Sequence, residues 1–247
     1  MIIIHVSGSI ICIFVKACQP IHGIMVQGKS FLKRLLKFYE TYQSEARFLV
    51  LDSSPDYPED EELKELLTQE QVTWIRYDSS IFFANKVSEG CKHIETEYAV
   101  LCADDDFLIP TALTACIDFL SEHPDYASTL GLDFHHSRGP EVRNGLFRIL
   151  PLTKGKSSEE KTASERVQSY LSGKTGYYPM YAVHRTSTFC NIWNETTKYV
   201  TDWGLSELFP CSLSFAFGKM KVLPVFYVSR EPNSFSPFNE KRRLEMY

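Results

Sequence analysis

Six apolar residues, Tyr98-Ala99-Val100-Leu101-Cys102-Ala103, run directly into Asp104-Asp105-Asp106. An uninterrupted apolar run of that length reads as a buried strand. Three carboxylates at its mouth repel one another, and taking them out of water is costly unless a positive charge lies nearby. A divalent cation with hard oxygen ligands, often shared with a phosphate-bearing ligand, is the usual solution. The plain alternative is a solvated acidic turn.

The flanking pattern alternates. Leu32, Leu35, Leu36 and Tyr39 stand at helical spacing between basic residues, with Ser30 as an N-cap. Arg47 to Leu51 reads as a short buried strand ending in the turn chemistry of Asp52-Ser53-Ser54-Pro55. A charged helix is expected over Glu59 to Leu67, a strand over Val72 to Tyr77 and a helix over Phe83 to Ile94. Pro110 opens a further helix, its apolar face formed by Leu113, Cys116, Ile117 and Leu120, and His123-Pro124 ends it. Strand and helix in alternation imply an α/β fold, with a mostly parallel central sheet covered by helices on both faces. Ligands of such sheets collect at the carboxyl ends of the strands, so Asp52 and Asp104 to Asp106 should share one crevice.

The second half is less regular. Strands are expected over Ala127 to Phe134, Leu146 to Leu150 and Met220 to Val228. Helices are expected over Glu160 to Leu171, stopped at Gly173, and over Asp202 to Phe217, where Pro210 must mark a kink or a boundary. Tyr177 to Val183 reads as extended and aromatic. With 247 residues, 44% of them apolar, the chain can build one large core. No internal repeat or clean linker divides it, so a single domain over 1–247 is expected. The net charge of −5 and the lack of a basic stripe argue against a nucleic-acid partner.

Seven cysteines with irregular spacing, several among apolar neighbours, fit a reducing compartment better than a disulfide framework or a zinc site. A cytoplasmic place, or one peripheral to a membrane, is expected; a secretory compartment stays open. Met1 to Val15 is apolar but broken by His5, Ser7, Gly8 and Ser9, and no basic residue precedes it. That excludes a transmembrane span and disfavours a signal peptide. A buried strand is the expected reading, with a weak anchor as the alternative.

Tyr98 to Pro110, followed by an amphipathic helix, resembles the family 2-like glycosyltransferases of the GT-A fold, in which a strand ends in a DxD-type motif. Phe31 to Tyr39 is similar to that family's first helix, and Val50-Leu51-Asp52-Ser53-Ser54 to its second-strand signature. The resemblance covers roughly 30–124 and resumes at 203–224. It implies a nucleotide-binding half over 24–125 and an acceptor-side half over 126–247, with 1–23 unassigned. The implied activity is transfer of a sugar from a nucleoside diphosphate sugar, a UDP-sugar first among them, to a carbohydrate, lipid or protein acceptor. Asp52 matches the position at the nucleotide base and Asp104 the one near the ribose. Asp106, with Asp104, matches the metal position, for which Mn2+ or Mg2+ is implied. Ser53, Lys86 and Asp105 complete the candidate donor-binding set. Glu207 matches the base that takes the acceptor proton, with Asp202 as second choice.

The chain departs from the family pattern in two places. Ile24-Met25-Val26-Gln27-Gly28-Lys29-Ser30 matches the first strand and its loop but lacks the usual Pro-Thr/Asn-Arg chemistry. Ser206-Glu207 stands where a Glu-Asp pair is usual. Plainer roles exist for most candidates: Lys86 on an exposed helix face, Asp202 as an N-cap, Glu207 facing water. Arg230 can clamp a diphosphate or form a surface ion pair, Tyr177, Tyr178 and Tyr181 can stack on a sugar, and His135, His136 and His184 can be ligands or structural. Two other functions fit clustered aspartates at strand ends: Mg2+-dependent phosphoryl transfer, and a non-catalytic nucleotide-sugar-binding module.

Overall fold

The computed structural model describes residues 10–16, 28–42, 46–137, 148–151, 155–175 and 179–230. In chain order the elements are β1 (Ile10–Lys16), α1 (Gly28–Thr41), β2 (Arg47–Asp52), α2 (Glu61–Leu67), β3 (Val72–Arg76), α3 (Phe83–Gly90), β4 (Tyr98–Ala103), β5 (Phe107–Leu108) and α4 (Pro110–Glu122). They continue with β6 (Tyr126–Ser137), β7 (Arg148–Pro151), α5 (Ala163–Leu171), β8 (Val183–Arg185), α6 (Thr186–Tyr199), α7 (Leu205–Phe217) and β9 (Lys219–Arg230). Among the described residues no helix is long and apolar enough to cross a membrane.

The nine strands of the described residues join one sheet in the order β3-β2-β1-β4-β8-β6-β9-β5, with β7 paired to β6. The first four strands are mutually parallel. Beyond β4 the sheet turns mixed: β8 runs antiparallel to β4 and β6, β7 to β6 and β5 to β9, while β6 and β9 are parallel. The expectation of a mostly parallel sheet is therefore corrected to a mixed one. The reason is local. β5, β7 and β8 are strands of two to four residues, and each pairs antiparallel with its neighbours.

Alternation along the central strands explains their apolar runs. Phe48 and Val50 of β2, with Tyr98, Val100 and Cys102 of β4, face the core built from α1, α2 and α4. Leu49 and Leu51, with Ala99 and Leu101, face the opposite core, where Ala84 and Val87 of α3 meet Phe189 and Trp193 of α6. Both faces are covered, so neither can carry polar residues.

The strand expected within Met1 to Val15 is present as Ile10–Lys16, at the centre of the parallel half, in the place that the family resemblance gave to Ile24 to Ser30; other expectations shift. Gly28, Lys29 and Ser30 are already in α1, so Ser30 is not its N-cap; Ile24 to Gln27 lie outside the described residues. Helix α6 has no counterpart among the expected elements. Pro210 lies within α7, which continues through it. Pro224 is tolerated in β9 because the register against β6 slips there, and Gly131 makes the slip possible: a Cβ at 131 would stand 2.6 Å from the Val225 carbonyl oxygen.

Candidate functional site

The chain order of the parallel half sets the site. From β1 the chain goes outward to β2 and β3, then returns to place β4 on the other side of β1. The point where the winding reverses opens a crevice beyond the carboxyl ends of β1 and β4. Asp52 pairs in register with Lys16, and Ala103 with Val15. Asp52 and Asp104 therefore stand at nearly the same level, two strand spacings or about 10 Å apart. The candidates from both strand ends share one edge, as expected.

On the β2 side the groups interlock. Asp52 is 2% exposed. Its Oδ1 accepts the Ser54 backbone N–H at 2.8 Å, and its Oδ2 accepts Trp74 Nε1–H at 3.3 Å and lies 3.6 Å from the Arg76 guanidinium. Arg76 also donates to the carbonyl oxygens of Ser54 and Asp56, each at 2.8 Å, and lies over the Tyr57 ring at 4.2 Å. Lys86 is buried, not exposed as its plainer reading had it. It donates to Ser53 Oγ at 2.8 Å. The loop after β2 is thus held by Arg76 on one side and by Lys86 on the other. Asp52, Ser53 and Lys86 are brought together directly. Arg76 and Tyr57 were missed in the sequence, although Arg76 ends β3 and obeys the same strand-end rule as Asp52.

On the β4 side, a turn closes with the Asp106 N–H on the Ala103 carbonyl oxygen at 3.4 Å and the Cys102 thiol on the Asp106 carbonyl oxygen at 3.5 Å. Asp104 and Asp105 are half-buried and Asp106 is buried. Arg34 of α1 donates to the Asp105 carbonyl oxygen at 3.2 Å and lies over the Phe107 ring. Asp106 Oδ2 accepts from Tyr181 OH at 2.9 Å and from Arg230 Nε at 3.3 Å. Burial, then the Asp106 charge, push the Tyr181 hydroxyl well above the ordinary tyrosine range, so it stays a donor. The sequence offers Tyr181 to a sugar and Arg230 to a diphosphate; the structure joins both to Asp106.

The other candidates sit around this edge. Asp202 is exposed, and its Oδ1 accepts the Leu205 N–H at 3.1 Å, the capping role given as its plainer reading. Glu207 is exposed in the first turn of α7. Between them, Trp203 packs against Phe82 and Phe83, with centroids 5.2 and 6.3 Å apart, at the start of α3. Since α3 follows β3, its first turn lies at the carboxyl edge, and this contact brings the start of α7 to the same rim. His184 is structural. It is buried between the Ala182 carbonyl oxygen (2.8 Å) and Ser214 Oγ (3.1 Å), and burial lowers its pKa to about 4. Tyr177 and Tyr178 lie outside the described residues, as do the side chains of His135 and His136.

The chemistry of the donor set suits a hard divalent cation, because carboxylate oxygens are what Mg2+ and Mn2+ prefer. Among the described residues no three acidic, histidine or cysteine side chains converge to hold a metal. Asp104 and Asp106 are the carboxylates that would hold such a cation, with ligand phosphates and water completing its shell. Arg230 beside Asp106 marks the same place as one that demands positive charge.

A mixed α/β sheet with a polar crevice at a winding reversal is the architecture found here, and its fold is similar to that of S. aureus TarS, a glycosyltransferase. Residues 1–349 of TarS match with 14% identity and a TM-score of 0.58, over 90% of this chain and 60% of that one. The same segment in complex with UDP-GlcNAc matches with 14% identity and a TM-score of 0.56, over 94% of this chain and 60% of that one. A longer TarS structure matches with 15% identity and a TM-score of 0.55, over 96% of this chain and 38% of that one. The chain thus spans less than two thirds of the TarS chains it matches. No family model matches the chain, and no curated protein matches it by sequence.

Proposed function

We propose that this chain is a GT-A-type glycosyltransferase of the family 2-like kind, which moves a sugar from a nucleoside diphosphate sugar to an acceptor hydroxyl. The observation that carries the reading is the shared edge: the Asp104–Asp106 turn and the Asp52–Ser53–Lys86 cluster flank one crevice at the winding reversal of a glycosyltransferase fold. The UDP-GlcNAc complex of TarS makes a UDP-sugar the first donor to try.

In this reading Asp52 and Ser53 meet the nucleoside, with Lys86 and Arg76 keeping their loop in place. Asp104 and Asp106 hold Mn2+ or Mg2+. The cation, when bound, neutralises the departing diphosphate as a Lewis acid. Trp203 and the start of α7 form the acceptor-side rim. Glu207, in the first turn of α7, is the first choice for the base that takes the acceptor proton, with Asp202, whose Oδ1 accepts the Leu205 N–H, the second. A positioned carboxylate of this kind contributes about 10^2- to 10^4-fold to rate.

Release of UDP from a panel of UDP-sugars, with Mn2+ and simple sugar acceptors, tests the reading. Transfer that drops at least 100-fold in Glu207→Gln and is little changed in Asp202→Asn is the expected result. Phosphate release from phosphomonoesters, with no turnover of any nucleotide sugar, would replace it by the phosphoryl-transfer reading.

A further inference from the structure

The Asp106 carboxylate already has a cation beside it. Arg230 Nε donates to Oδ2, Tyr181 OH donates to the same oxygen, and the guanidinium lies over the Tyr181 ring at 5.2 Å. The two partners differ in access: the Asp106 side chain is 5% exposed and that of Arg230 34%. Arg230 is the last residue of β9, so its side chain stands at a strand end. Burial works against its charge, but the Asp106 and Asp133 carboxylates favour it, and an arginine stays protonated in a protein.

Two cations cannot crowd one carboxylate without repulsion. A divalent ion on Asp106 therefore weakens the hold of the guanidinium, which shares Oδ2 with the Tyr181 hydroxyl. A guanidinium that loses a carboxylate binds best to another planar or tetrahedral oxyanion, and a diphosphate offers one. We propose that Arg230 is an exchangeable counter-ion: it neutralises Asp106 before the donor arrives and transfers to the donor diphosphate when a divalent cation takes its place. This rests on the proposed function, because a cation and a diphosphate must enter the same crevice. Tyr181 keeps its hydroxyl on Asp106 and holds the carboxylate still while the cations trade.

The exchange has a thermodynamic signature. The cation alone works against Arg230, while cation and diphosphate together give every charge a partner. Their binding is thus cooperative, and the cooperativity is reciprocal. Arg230→Met removes the competitor and the diphosphate contact together. Each is a charge-assisted hydrogen bond, which sets the scale at roughly tenfold.

The test is titration calorimetry of Mn2+ alone, UDP alone, and UDP with saturating Mn2+, on the wild-type chain, Arg230→Met and Arg230→Lys. Arg230→Met should bind Mn2+ about tenfold tighter and UDP–Mn2+ about tenfold weaker, with Arg230→Lys between it and the wild type. Equal or weaker Mn2+ binding in Arg230→Met overturns the exchange and leaves the metal assignment standing. UDP binding that ignores Mn2+ in all three proteins overturns the metal assignment and the exchange with it. Arg230→Lys keeps the charge and the alkyl stem, so its titrations decide between these outcomes even if the methionine variant unfolds.

Discussion

Asp52→Asn changes one buried atom, and its cost follows from the donors around it. The carboxylate accepts from the Ser54 N–H and from Trp74 Nε1–H, and it lies 3.6 Å from Arg76. An amide has one acceptor oxygen. If it keeps the 2.8 Å bond to Ser54, its NH2 group faces the Trp74 N–H and the guanidinium, donor against donor. A buried donor left unsatisfied costs about 1–3 kcal/mol. The lost ion pair adds about 1 kcal/mol, discounted because Arg76 is partly exposed. The sum is about 3 kcal/mol, or about 1 M in the urea midpoint at a slope near 3 kcal/mol/M. Trp74→Phe removes the facing donor, so the double variant should recover about 1 kcal/mol relative to the sum of the single changes. A single variant as stable as wild type, or a strictly additive double variant, would refute this description of the β2 end.

Two further expectations concern the frame around the site. His184 has its pKa lowered by burial to about 4, against 6.5 when exposed, so the unfolded chain takes up the proton first as pH falls. Stability is unaffected above about pH 6.5 and lost between there and about pH 4, by about 2 kcal/mol at pH 5; urea unfolding at about pH 7.5 and 5 should show that slope in the wild type and not in His184→Gln. Arg166, 7% exposed, donates to the carbonyl oxygens of Phe215 and Ala216 at the end of α7 and to those of Glu160 and Lys161 before α5. Arg166→Met should cost about 3 kcal/mol in the same assay, and a loss under about 1 kcal/mol would mean that water satisfies those carbonyls.

Elements whose signals are local were readable in the sequence. β4 is bounded by charge on both sides and occupies Tyr98–Ala103 as expected, and Pro110 opens α4 at its first turn. α6 was hidden because Thr186, Ser187, Thr188, Thr196 and Thr197 are weak helix formers. What makes it a helix is burial of Phe189, Ile192, Trp193 and Thr196, a tertiary effect. Two apolar stretches compete near the N-terminus: the strand expected within Met1 to Val15 is there, while the family match of Ile24 to Ser30 to the first strand fails where Gly28 enters α1, and the pairing of Ile10–Lys16 between β2 and β4 decides between them. The site divides in the same way. The aspartates announced themselves by position at strand ends. The burial of Lys86 did not, since it depends on a serine 33 residues away, and neither did the meeting of Asp106 with Arg230, 124 residues apart.

The central claim is that a nucleoside diphosphate enters the crevice between the ends of β2 and β4. Hydrogen exchange on the chain with and without UDP and Mn2+ tests it most directly. Slowed exchange should be concentrated at Ser53 and Ser54, at the first turn of α3 and at Asp104 to Phe107, while β7 and α5 stay unchanged. Binding that leaves those amides untouched and protects another surface would contradict the claim.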